Sequence, residues 1–117
     1  MRIKSKIRSM IKKDTEALLI GFTTVASEDA AQQLARALVE SQLAVCVQID
    51  SGVQSVYRWE GKLCADPEWR LVVKFLESDS EGLAAFIDAK HPYDTPEWLV
   101  VRPEQVAPKY LAWAQAL

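Results

Sequence analysis

The chain has 117 residues, half of them apolar, 26% charged and ten aromatic, which suits one domain with a real core. That balance excludes disordered, collagen-like and disulfide-scaffold classes, and no apolar run approaches the ~18 residues of a membrane span. Net charge is −2, but residues 1–13 hold six bases and no acid. Residues 14–117 therefore carry eight bases against sixteen acids, a net −8. An acidic body argues against nucleic acid as a partner and admits cationic ones.

Residues 1–15 are expected to form a flexible basic extension. Ile3, Ile7, Met10 and Ile11 fall at helical spacing among the bases, which keeps a membrane-surface helix open as an alternative. Met10 is a second potential start. No long apolar stretch follows the charges, so they do not read as a secretory signal, and the expected location is the cytoplasm. With two cysteines the chain does not depend on disulfides.

Residues 16–117 are expected to form one domain. Ala17 to Val25 reads as a buried strand. Ser27 is placed to cap a helix over about 27–42, with Glu28 and Asp29 at its positive end and Leu34 and Leu38 on its apolar stripe. From Val45 the alternation of Val45, Val47 and Ile49 starts a second strand. Ser51-Gly52 shifts its phase, which suggests a bulge, and the alternation resumes at Val53, Ser55, Tyr57 and Trp59. Glu60-Gly61-Lys62 marks a turn, and Trp69 to Glu77 is the returning strand of a long hairpin. Asp79 is placed to cap a helix whose apolar face is Leu83, Phe86 and Ile87. Pro92 and Pro96 enclose a rigid loop, Trp98 to Val101 is a fourth strand, and a last helix follows Pro108.

The order β-α-β-β-α-β plus a helix predicts an α+β, ferredoxin-like sandwich with helices on one face of an antiparallel sheet. The hairpin is too long for such small helices to cover. Exposed edges carrying Tyr57, Trp59 and Trp69 predict self-association.

The runs YRWEGK (Tyr57 to Lys62), HPYDTPE (His91 to Glu97) and YLAW (Tyr110 to Trp113), with Glu68 and the early TTVASEDAAQQLARALVESQLAVCVQI, resemble the CutA family of divalent-cation tolerance proteins. The resemblance covers about residues 18–115. It implies a ferredoxin-like homotrimer similar in architecture to PII signal-transduction proteins, and a role in divalent-cation tolerance with copper as the usual candidate metal.

The resemblance also shapes the reading of the polar residues. His91, the sole histidine, and Cys46 are the candidate metal ligands. Family members credited with a copper site have a first-strand cysteine and a second histidine where this chain has Thr23 and Lys90. Tyr57, Trp59, Glu60, Lys62, Glu68 and Tyr93 are the expected lining of a cleft between subunits, suited to a small polar ligand. Trp59 and Trp69 are the expected trimer contacts. No cofactor is required on this reading, although copper or another divalent ion is a candidate. The alternative is a PII-like signalling or scaffold trimer that takes a small ligand or protein in the cleft without binding metal itself. Pairing the hairpin about Gly61 sets Cys64 opposite ~58 and Cys46 opposite ~76, too far apart for an intrachain disulfide. The chain holds no P-loop, GxGxxG, CxxC or HExxH motif. Its one histidine has no adjacent nucleophile, so no enzyme is expected.

Overall fold

In the computed structural model, which describes residues 16–117, the elements run β1 (Leu18–Val25), α1 (Glu28–Glu40), β2 (Cys46–Trp59), β3 (Lys62–Leu76), α2 (Ser80–Lys90), β4 (Leu99–Val101) and α3 (Pro108–Ala116). The expected extension at residues 1–15 lies outside the described residues. The strands form one antiparallel sheet in the order β2-β3-β1-β4, the ferredoxin-like arrangement. No helix among the described residues is long and apolar enough to cross a membrane.

Local chemistry explains the boundaries. Ser27 caps α1 by accepting the Ala30 N–H at 3.1 Å. The helix ends where Gln42 turns to φ 65° and Leu43 N–H reaches back to the Leu38 carbonyl at 3.2 Å, satisfying carbonyls the last turn leaves open. Asp79 occupies the position before α2, but its side chain does not cap the first turn, because a 3-10 turn at Glu77–Asp79 leads into the helix.

The hairpin is longer on its returning side than Trp69 to Glu77, since β3 begins at Lys62. Pro67 lies inside it, where β3 has run past the end of β1 and pairs with β2 alone, so a missing N–H breaks no second ladder. The tip is a two-residue turn in which Glu60 (φ 50°) and Gly61 (φ 77°) both adopt the left-handed backbone that matches strand twist. The expected bulge is present: Ser51 and Gly52 lie opposite the single Trp69, between the pairs Asp50↔Arg70 and Val53↔Glu68. The turn, centred between Glu60 and Gly61, and the extra residue together correct the cysteine register, the turn alone at Cys64 and both at Cys46. Cys64 pairs with Tyr57 and Cys46 with Lys74, and both thiols are free.

Alternation along the strands divides the sheet into two faces. Leu19, Thr23, Val25, Leu71, Val73 and Phe75 face α1 and α2, where they pack with Leu34, Leu38, Leu83 and Ile87. Trp69 is half-buried against this core. The other face is covered only at one end, where α3 sets Ala114, Tyr110 and Leu111 against Leu18 and Leu76. Further along, the half-buried Ile20, Phe22 and Val72 and the exposed Val101 and Leu99 (58%) form an apolar strip, with the Arg70 guanidinium 5.9 Å from the centre of the Phe22 ring.

The fourth strand is shorter than expected, because Trp98 turns out of the sheet into the helix-side core. Its indole lies over Gly21 and 6.1 Å from the Phe75 ring. A Cβ at Gly21 would meet the Trp98 indole at 2.2 Å. Gly21→Ala is therefore expected to lose about 1–3 kcal/mol through overpacking. Urea unfolding at fixed protein concentration measures it, and an unchanged midpoint would contradict the Trp98 placement.

Candidate functional site

The two prolines of the HPYDTP loop bracket a turn that passes from the end of α2 around the end of β1 to β4. Here His91, directly after Lys90, turns inward and is only 7% exposed. Its Nδ1 accepts the Tyr93 backbone N–H at 3.0 Å. A ring nitrogen that accepts carries no proton, so the neutral ring bears its proton on Nε2, which donates to the Thr24 carbonyl at 2.9 Å. The imidazole thus ties the loop to the end of β1. Burial pushes its pKa below the usual value; the Thr24 hydrogen bond and the Glu68 carboxylate oppose that shift without cancelling it.

From this tie, Tyr93 reaches the hairpin. Its ring packs 4.9 Å from the His91 ring, and its hydroxyl donates to Glu68 Oε2 at 2.7 Å. Burial and the Glu68 hydrogen bond push the Tyr93 phenol up. One step toward the tip, Tyr57 donates to Asp66 Oδ2 at 2.5 Å, and that bond is the main cause of a phenol pKa pushed up to about 12. The Glu97 carboxyl is raised first by partial desolvation and then by Glu68, with Arg70 acting against the rise. Arg70 is itself held by Asp50, with Nε and Nη2 at 3.2 and 3.0 Å from Oδ2.

The structure brings His91, Tyr93 and Glu68 together, with Tyr57 alongside. It does not bring Trp59, Glu60 and Lys62 to them within one chain. Six extended residues separate Lys62 from Glu68, about 20 Å, so these three stand at the hairpin tip. Trp59 is 52% exposed there, while Trp69 packs against the chain's own core.

Nor are the two metal candidates joined. Cys46 lies opposite Lys74 on β2, whereas His91 binds the β1 row opposite Arg70. The offset is about 13 Å along the strands and about 10 Å across them. Among the described residues no group of three or more His, Cys, Asp or Glu side chains is placed to hold a metal ion. Thr23, at the first-strand position, is buried on the helix side with its hydroxyl unpartnered. Asp66 was the residue sequence reasoning missed. The register set by the two-residue Glu60-Gly61 turn, which pairs Tyr57 with Cys64, puts it one diagonal step from Tyr57.

A sequence profile of the CutA1 divalent ion tolerance protein family matches residues 19–116. The chain belongs to the CutA1 family. It is 39% identical over 93 residues to the divalent-cation tolerance protein CutA of Pectobacterium atrosepticum, covering 80% of this chain and 84% of that one. It is 37% identical over 109 residues to the chloroplastic protein CutA of Arabidopsis thaliana, covering 93% of this chain but 60% of the relative. Of the mouse protein CutA the aligned region spans 52%. Among solved structures, the divalent cation tolerance protein of Thermus thermophilus superposes with a TM-score of 0.79 at 37% identity, over 83% of this chain and 94% of that one. The CutA1 family membership agrees with the ferredoxin-like order and the long hairpin.

The buried imidazole sets a pH dependence. Because the folded pKa of His91 is lowered, the unfolded chain binds more protons between the folded value and the ordinary ~6.5. The contribution of His91 to stability is complete above ~6.5 and is lost as pH falls through and below that value. Urea unfolding at pH 7.5 and 5.5 should show the loss in the wild type and a smaller one in His91→Gln. Equal losses in both would contradict the buried neutral ring.

Proposed function

We propose that this chain serves divalent-cation tolerance as a non-enzymatic, cytoplasmic homotrimer whose working part is the Tyr93–Glu68 groove, not a His–Cys metal centre. The observation that carries this reading is the engagement of both His91 ring nitrogens, which leaves no lone pair for a metal unless the loop is released from β1. The apolar strip of Ile20, Phe22, Val72, Leu99 and Val101, exposed at Leu99 and Val101, supports assembly, because exposed apolar faces are normally covered. The whole of β2 is an edge strand, which gives a second reason. On this reading groove and assembly meet at the hairpin, where a neighbouring copy would close the open side. No cofactor is required, and the metal effect is indirect.

The competing reading is direct copper or zinc binding through His91 and Cys46, which requires closing the offset between them. Isothermal titration of Cu(II) and Zn(II) into tag-free wild type and His91→Ala separates the two. The expected result is no tight site that depends on His91, with sedimentation of the same wild-type sample giving a three-chain mass. A tight isotherm abolished by His91→Ala would overturn the groove reading in favour of a metal centre.

A further inference from the structure

We propose that residues 2–13, together with the outward face of α3, attach this protein to the surface of an anionic lipid bilayer. The inference goes beyond the tolerance reading and does not depend on the groove.

The order of residues 2–13 separates two kinds of side chain. At about 100° per residue, Ile3, Ile7, Met10 and Ile11 fall within an arc of about 100°, and all six bases fall outside it with Ser5 and Ser9. A two-residue period would instead set Met10 among the bases. An apolar arc flanked only by bases and serines suits a helix lying in a headgroup layer, with its apolar side in the acyl chains and its cations on the phosphates. A helix this short needs a surface that takes its apolar arc, so binding and helix formation are one step.

The rest of the chain has the opposite sign. Residues 14–117 carry a net −8, so an anionic surface attracts the protein at this segment and repels it elsewhere, which orients the molecule.

The structure fixes where the chain enters the domain. Gln115 Nε2 donates to the Glu16 carbonyl at 3.0 Å, and the Glu77 N–H donates to the Ala17 carbonyl at 3.0 Å, which sets the entry to β1 beside α3. α3 carries no acid, and its exposed Lys109, Ala112, Trp113 and Ala116 follow the i, i+3, i+4, i+7 spacing of one helix face. Trp113 is 44% exposed there, an indole of the kind that settles at a membrane–water interface. From this entry β1 runs toward Trp69, and the hairpin projects beyond it, so attachment at α3 leaves the hairpin tip pointing away from the bilayer. In a cyclic three-chain assembly every entry lies at one height along the axis, and three segments would meet the same plane.

Cosedimentation of the intact chain with vesicles tests the proposal, with wild type, Ile7→Asp and Trp113→Ala compared. The vesicles are phosphatidylcholine alone, or three parts phosphatidylcholine to one part phosphatidylglycerol. Circular dichroism without vesicles confirms that each variant folds. The wild type is expected on the anionic vesicles only, with a gain in helical signal and release at high salt. Ile7→Asp, outside the described domain, is expected to weaken partition about tenfold, and Trp113→Ala about threefold. Wild type left in the supernatant of both vesicles would overturn the proposal. Binding that Ile7→Asp leaves unchanged, on vesicles and on an RNA oligonucleotide alike, would mean attraction to any polyanion and overturn it too. Trp113→Ala at wild-type affinity would overturn the part assigned to α3.

Discussion

A single imidazole, bonded on both sides, decides the geometry of the polar region of this protein. His91 is buried at the point where α2 ends, and its two nitrogens join strand β1 to the loop that follows. Without that tie Tyr93 would have no fixed approach to Glu68, and the loop would have no fixed path to β4. The tie also requires a neutral ring, which burial supplies. Metal ligation would use the same lone pair that now receives the Tyr93 N–H. The two roles are mutually exclusive in this conformation, and the observed hydrogen bonds choose the structural one.

The second constraint is the hairpin. β3 pairs with β2 from Lys62 to Lys74, but β1 accompanies it only from Leu76 to Trp69. Beyond that point no helix lies behind the ribbon, and its residues meet solvent. The bulge at Ser51-Gly52 falls at this transition, where a change of twist separates the sheet proper from the projecting part. The Tyr93–Glu68 hydrogen bond lies at the same junction, where the loop from α2 reaches the strand face that bears Glu68. A site at a junction open on one side is well placed to be sensitive to assembly, which links the apolar strip to the groove.

Much of this was legible in the sequence. The Ser27 cap, the alternation in β2, the phase change at Gly52 and the Glu60-Gly61 turn are local signals, and each lies where its residues predicted. The strand order followed from the element order, since short connections leave few ways to close an antiparallel sheet. Less legible were features set by tertiary packing. Trp98 looks like a strand residue, yet the space above Gly21 draws it into the core. Asp66 carried no signal of its own, because its place beside Tyr57 depends on the exact centre of the hairpin turn, between Glu60 and Gly61. Glu60 and Lys62 share a sequence motif with Tyr57, but extended strands carry motif neighbours apart at ~3.3 Å per residue. Proximity in sequence therefore overstated how much of the motif one chain can gather.

Because the chain has a single histidine, its imidazole can be observed without ambiguity. Nitrogen-15 NMR of the ring in tag-free protein, recorded at pH 7.5 with and without Zn(II), tests the central claim directly. The expected spectrum is that of a neutral ring protonated on Nε2, with Nδ1 as acceptor and no change on adding Zn(II). A ring protonated on Nδ1, or nitrogen shifts that follow Zn(II) to saturation, would contradict the structural tie and return His91 to the metal.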